Sequence, residues 1–173
     1  MSLIYITGVS GTGKSTVWAE LKNRGIEAYD VDEDGLARWQ NNKTRYIHPK
    51  SSVKAHQRTQ EFLANHSWNI PRNYVEKLNQ RAKNKDIYLC GVVYNETELK
   101  DLFTKVIALS IDRNELIHRL KTRTNNNFGK SKHELKHVIE RHKTVNQYYK
   151  SAGYLIIDSN RPLKQVINDI LNS

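Results

Sequence analysis

Along the chain, short apolar runs alternate with longer stretches in which apolar residues recur every three or four positions. The runs are Leu3 to Thr7, Ile26 to Asp30, Ile87 to Cys90, Val106 to Leu109 and Tyr154 to Ile157. Each is four or five residues long and bounded by glycine or polar residues. Runs of that kind form strands buried on both faces, as in a parallel sheet. The stretches between them carry helical signals. Asn95, Asp112 and Ser131 are each followed three residues later by Glu, the spacing of a capped helix start. After Ser131, the residues Leu135, Val138, Ile139, His142, Val145 and Tyr149 fall on one helical face. Pro162 opens a last helix with Val166, Ile167, Ile170 and Leu171 turned inward, and Gly25 and Gly153 each sit just before a strand, where a helix ends. Five strands with helices between them predict a three-layer α/β fold with a five-stranded parallel sheet.

Two stretches fit no simple alternation. Residues 33–84 are far longer than one connecting helix requires, and they are expected to form a helical segment that binds substrate. Trp39, Tyr46, Trp68 and Tyr74 give it aromatic surface, and Arg38, Arg45, Arg58 and Arg72 give it anion contacts. The plainer reading puts both tryptophans in the core of a small helical subdomain. His48, His56 and His66 are too scattered to form a metal site. The second stretch, 123–131, is polar and contains glycine, as a lid does.

One motif carries specific chemistry. Gly8-Val9-Ser10-Gly11-Thr12-Gly13-Lys14-Ser15 satisfies G-x-x-x-x-G-K-[ST], with a strand pattern before it and a helical pattern after it. The glycines let consecutive backbone N–H groups curl inward around phosphate oxygens, and the following helix adds positive potential at its N-terminus. Lys14 then reaches the β- and γ-phosphates, and the Ser15 hydroxyl ligates Mg²⁺. ATP with Mg²⁺ is therefore expected on Gly8, Ser10, Gly11, Thr12, Gly13, Lys14, Ser15 and Thr16. The glycine spacing is not that of a dinucleotide fold, and no N-K-x-D guanine-reading motif is present.

Composition adds the partner's charge. The chain has 173 residues, which suits one domain over 1–173, with 28 Lys and Arg against 18 Asp and Glu and a net charge of +10. Such a surplus favours polyanionic partners: nucleotide phosphates, a phosphorylated substrate or nucleic acid. The cations are spread along the chain rather than run together, so charge alone does not single out nucleic acid. Cys90 is the only cysteine, which excludes an internal disulfide and suits a reducing, cytoplasmic setting. The first residues lack the basic start and cleavage site of a leader, and no apolar stretch nears the roughly 18 residues of a membrane span.

These residues together resemble the small P-loop kinases of the shikimate, gluconate and adenylate kinase group, and most closely its bacterial kinase-like ATP-binding proteins. The likeness covers most of the chain in layout and residues 33–84 least. Tyr29-Asp30-Val31-Asp32-Glu33 is similar to the D-x-D of shikimate kinases; the resemblance implies that Asp30 lies near the metal and Asp32 contacts the acceptor hydroxyl. In an extended segment, alternation would set both on one side. Ile87 to Gly91 resembles the third strand, whose end faces the substrate at Gly91. Where a Walker B strand ends in Asp this one ends in Cys90-Gly91, and the triple glycine of shikimate kinases is absent. Cys90 reads as a packed strand residue rather than a nucleophile. Arg119 and Arg123, with the polar run Thr124-Asn125-Asn126-Asn127-Phe128-Gly129-Lys130, resemble the lid over 119–131. Arg141 stands where related kinases hold an anionic group of the substrate, and Arg161 in the loop that flanks adenine.

The resemblance also implies the strand order 2-3-1-4-5. The reading is an ATP-dependent phosphotransferase acting on a small-molecule hydroxyl or phosphate. Lys14, Asp32 and Arg123 are its catalytic groups, Ser15 and Asp30 hold metal, and Asp32, Gly91 and Arg141 contact the acceptor. A nucleoside or nucleoside monophosphate kinase, a nucleic-acid end kinase or nucleic-acid-bound ATPase, and an ATP-binding regulator without chemistry are the alternatives. Neither the acceptor nor the oligomeric state can be read from the sequence.

Overall fold

All five apolar runs become strands in the computed structural model, which describes residues 1–124 and 128–173. In chain order the elements are β1 (Leu3–Thr7), α1 (Lys14–Asn23), β2 (Ala28–Asp30), β3 (Arg38–Asn41), α2 (Gln60–Asn65), β4 (His66–Asn69), α3 (Arg72–Arg81), β5 (Ile87–Cys90), β6 (Lys105–Ser110), α4 (Arg113–Thr122), α5 (Lys132–Ser151), β7 (Leu155–Asp158) and α6 (Leu163–Leu171). The main sheet is parallel, with the order β2-β5-β1-β6-β7. Counted over its own five strands, that is the expected 2-3-1-4-5.

Strand β1 is central, paired to β5 through Leu3↔Ile87 and to β6 through Ile4↔Lys105. Its five residues are all buried because alternate side chains feed two different cores. Leu3 and Tyr5 pack with Leu89, Val75 and Leu78 on one face. Ile4 and Ile6 pack with Val17, Leu21, Ile167 and Ile170 on the other. Fully burying one such side chain stabilises the fold by about 1.5–3 kcal/mol. A third cluster joins α4 and α5 through Leu116, Leu120, Val138, Val145 and Tyr149. The expected apolar face of α5 is therefore an inward face. Ser131 caps α5, its Oγ accepting the Glu134 N–H.

Residues 33–84 depart from the expected helical segment. They contain α2 and α3, but also a two-stranded antiparallel pair, β3 with β4, in register Trp39↔Trp68. The cause is cross-strand packing: the two indoles meet with centroids 5.1 Å apart, and Phe62 sits edge-on to Trp39 at 5.3 Å. The tryptophans thus anchor a small mixed subdomain. The segment after Asn95 forms a 3₁₀ helix, Glu96–Leu102, without a side-chain cap. Asn95 is occupied elsewhere: its Oδ1 accepts the Ile70 N–H at 3.2 Å and its Nδ2 donates to the Ile70 carbonyl at 2.9 Å. Of the expected lid, Asn125, Asn126 and Asn127 lie outside the described residues. No helix among the described residues is long and apolar enough to cross a membrane.

Candidate functional site

The loop between β1 and α1 sits at the C-terminal edge of the central strand, where a parallel sheet presents its ligands. Two of its glycines have a clear physical reason. Gly13 is the N-cap of α1 at φ 96°, a left-handed conformation that side chains resist, and no side chain caps the helix. The first-turn residues Lys14, Ser15 and Thr16 instead line an open cavity of about 410 Å³. At Gly11 a Cβ would fall 2.8 Å from Leu116 Cδ1, so only glycine lets the loop rest on α4. Thr12 Oγ1 donates to the Val9 carbonyl at 2.9 Å and closes the curl.

Lys14 bends back over this loop, its Nζ donating to the carbonyls of Gly8 at 2.7 Å and Val9 at 3.0 Å. Gly8 is not part of the cavity lining. Burial lowers the Lys14 pKa to about 8, against the opposing pull of Asp30 and Asp32.

The two carboxylates both act on Lys14, but a turn rather than an extended segment connects them. Strand β2 ends at Asp30, and the chain turns at once through the fully buried Val31. Asp30 is buried, and its Oδ1 accepts the N–H groups of Asp32 at 2.9 Å and Glu33 at 3.1 Å. It stabilises the turn that delivers Asp32, and it lies outside the cavity lining. Asp32 lines the cavity, where its Oδ1 accepts the Trp68 indole N–H at 2.9 Å. Burial raises the Asp32 pKa and the nearby Asp30 adds to it, while the Trp68 bond and Lys14 pull it back down. The sequence reading put Trp68 on the aromatic surface of the substrate segment, but its bond to Asp32 had no local signal, because the two are 36 residues apart and Trp68 belongs to the unexpected antiparallel pair.

Arg119, Arg123 and Arg161 form the opposite wall with Ser10 and Ser159. Arg119 is held by Glu115 at 2.7 Å and by the Ser159 carbonyl at 2.8 Å. Arg161 is paired with Asp169. Arg123 donates to Ser10 Oγ at 3.2 Å and to the Phe128 carbonyl, and its Nε is buried with no acceptor among the described residues. A guanidinium left partly unmatched beside a phosphate loop is fit to meet an anion. Val17, Thr122, Leu163 and Val166 complete the lining, and of these Thr122 had no motif to mark it.

Gly91 and Arg141 lie outside this cavity. A Cβ at Gly91 would fall 2.5 Å from that of Val31, so its glycine serves close packing between two strand ends. Arg141 lies over the Tyr94 ring at 5.6 Å. Nearby, the buried Glu96 accepts the Tyr148 hydroxyl at 2.9 Å, and its pKa is raised by burial. Cys90 is fully buried, and burial pushes its thiol pKa far up, which suits a packed side chain.

For a metal, the Ser15 hydroxyl and the Asp30 and Asp32 carboxylates offer the hard oxygen donors that suit Mg²⁺. No cluster of three or more His, Cys, Asp or Glu that could hold a metal ion occurs among the described residues. Mg²⁺ bound with a nucleotide takes most of its ligands from phosphate and water, so one or two side chains suffice.

A family model described as an AAA domain matches residues 4–141 of the chain. No curated protein matches it. Among solved structures it is similar to the shikimate kinase of Bacteroides thetaiotaomicron (TM-score 0.59, 16% identity, 98% of this chain and 96% of that one). It is also similar to the deoxyadenosine kinase of M. mycoides with bound dATP (TM-score 0.56, 17% identity, 98% and 97%). A third is the shikimate kinase of Aquifex aeolicus (TM-score 0.54, 18% identity, 98% and 93%). At such identities the likeness establishes a shared small P-loop kinase fold.

Proposed function

The chain belongs to the AAA domain family, and from that premise we propose that it is an ATP-dependent phosphotransferase whose acceptor hydroxyl or phosphate sits beside Asp32. The observation that carries this reading is the placement of Asp32 in the same cavity as Lys14, Ser15 and three arginines, held there by Trp68. A pure nucleotide-binding regulator has no need of a carboxylate, raised in pKa and fixed in orientation, in the phosphate cavity. Solved structures with the same fold are shikimate kinases and a deoxyadenosine kinase, which supports the reaction class without naming the acceptor.

In this scheme the loop amides and Lys14 grip the triphosphate. Lys14 gives up its two carbonyl contacts for the β- and γ-oxygens. Asp32 takes the proton of the attacking hydroxyl. The oxygen forms a bond to the γ-phosphorus, the bridging bond to the β-phosphate breaks, and its electron pair leaves on the nucleoside diphosphate. Arg123, with its unmatched donor, and Arg119 stabilise the charge that spreads over the equatorial oxygens. Ser15 and a carboxylate of the Asp30 and Asp32 pair would hold Mg²⁺, which would offset phosphate charge.

The test is a panel of nucleosides, nucleoside monophosphates, sugars and cyclic acids with γ-labelled ATP. Label should reach at least one acceptor with the wild type and none with Lys14→Ala or Asp32→Asn. Tight ATP binding with transfer to no member of a broad panel would leave the regulator reading in its place.

A further inference from the structure

The positive charge of this chain is distributed more sharply than its cations suggest. Lys and Arg are spread out, but Asp and Glu are not. Between Asp34 and Glu61 there is no acidic residue, while six of the chain's 28 Lys and Arg fall there: Arg38, Lys43, Arg45, Lys50, Lys54 and Arg58. All but Arg38 are exposed. Among the described residues only Arg45 has an acidic partner, Glu98 at 3.4 Å, in an exposed pair that contributes little. Arg38 is half-buried and donates to the Gly35 and Ala37 carbonyls, while Lys43, Lys50, Lys54 and Arg58 are exposed with no acidic partner among the described residues.

Aromatic rings are interleaved with these charges. Tyr46 is 57% exposed and lies edge-on to His48 at 5.0 Å. The Arg58 guanidinium covers the Trp39 ring at 5.8 Å. From Trp39 the contact passes to Trp68, and from Trp68 to Asp32. The surface therefore begins two side chains away from the carboxylate of the cavity.

We propose that residues 38–58 form a binding surface for a single-stranded nucleic acid, RNA or DNA, lying beside the cavity mouth. Exposed cations spread over residues 43–58 match a phosphodiester backbone, and the exposed Tyr46 ring offers a face on which an unstacked base can lie. A bilayer fits less well. Attachment to lipid needs an apolar helical face, and the only α-helix next to this segment, α2, has six residues and buries none of them. The proposal adds a partner and does not rest on the phosphotransfer reading.

The experiment is fluorescence anisotropy of labelled oligo(U) and oligo(dT) across a salt series. Binding is expected at about 50 mM salt, weakening steeply as salt rises. The triple variant Lys43→Glu/Lys50→Glu/Lys54→Glu should bind at least tenfold more weakly and lose roughly two units of the log–log salt slope, at about 0.7 per phosphate contact. Tyr46→Ala should weaken binding several-fold at unchanged slope. Heat of ATP binding, expected to be unchanged in both variants, reports that they are folded. As a control, Lys121→Glu/Lys132→Glu/Lys136→Glu reverses three exposed charges on α4 and α5. An equal loss in that control would mean diffuse attraction and overturn the assigned surface. So would absence of oligonucleotide binding at low salt, or capture by phosphatidylserine vesicles in its place.

Discussion

The indole N–H of Trp68 donates to Asp32 Oδ1 at 2.9 Å, so a residue of the antiparallel pair orients the carboxylate of the phosphate cavity. The bond also holds down a pKa that burial raises. Trp68→Phe keeps most of the packing on Trp39 and deletes the donor. Asp32 must be ionised to accept a proton, and its pKa rises further in the variant. The acid limb of the kcat/KM profile should therefore move to higher pH, with a loss of about tenfold or more at neutral pH, in line with a hydrogen bond to a charged group. An unmoved acid limb would show that Trp68 only packs.

Lys14 gives a pH dependence of opposite form. Its pKa is about 8 in the free protein, lowered chiefly by burial. Phosphate oxygens beside Nζ favour the charged form, so ligand binding raises that pKa. ATP affinity should be flat below pH 8 and fall above it, by up to roughly tenfold per unit, until the pKa of the complex is reached. Calorimetry at pH 8 in buffers of different ionisation enthalpy should show net proton uptake on binding. The uptake should vanish in Lys14→Ala.

Legibility followed the range of the interactions. The phosphate loop could be read because its chemistry fixes residue types at fixed local spacing, and the five strands because burial on both faces leaves unbroken apolar runs. Strand order came through the family likeness, which the parallel sheet bears out. The partner of Asp32 could not be read, since a 36-residue separation closed by a Trp39–Trp68 pair leaves no local pattern. Asp30 and Asp32 read as a pair by alternation; the structure has a turn there, with Val31 in the core, and both carboxylates still act on Lys14. Gly91 carried a sequence signal, but the structure ties it to close approach of Val31. The even spread of cations concealed an acid-free limb, because net charge counts both signs at once.

The arginines of the cavity should separate in their effects. Arg123 has a buried Nε without an acceptor among the described residues, whereas Arg161 is committed to Asp169. Arg123→Ala should lower kcat on the order of a hundredfold with little change in ATP affinity, as expected of a group that acts on developing charge. Arg161→Ala should change kcat less than about threefold, since it removes a half-exposed pair. Single-turnover rates with saturating ATP read the difference directly. Equal losses would remove Arg123 from the transfer step.

Gly91 combines φ 150° with a neighbour that leaves no room for a methyl group. Its N–H bonds the Ile6 carbonyl and its own carbonyl accepts the Tyr5 hydroxyl, so the backbone cannot slide away without breaking both. Gly91→Ala should lose about 2–4 kcal/mol of stability in urea unfolding, from strain and overpacking together. Measured against Val31→Gly alone, Gly91→Ala should cost less than it does in the wild type, because Val31→Gly removes both the Cβ and the Cγ2 that the new methyl group would meet. An equal loss in the two backgrounds would put the cost in the backbone angle alone.

At Glu96 the pH dependence of stability runs against the usual behaviour of a carboxylate. Burial raises its folded pKa above the 4.5 of an exposed glutamate, and the Tyr148 hydroxyl and the Arg141 charge offset this only in part. The folded state therefore holds the proton more tightly than the unfolded chain. Stability contributed by the protonated side chain is present below pH 4.5 and is lost as pH climbs from there through the folded pKa. Glu96→Gln keeps an oxygen to accept from Tyr148 and cannot ionise. It should match the wild type in urea unfolding below pH 4.5 and exceed it at pH 7, and the wild-type decline between those limits should flatten. A variant less stable than the wild type at neutral pH would mean that the carboxylate is held charged by Arg141 and contributes net attraction. The pair would then be an ion pair of the α5 face rather than a buried acid tolerated for its hydrogen bond.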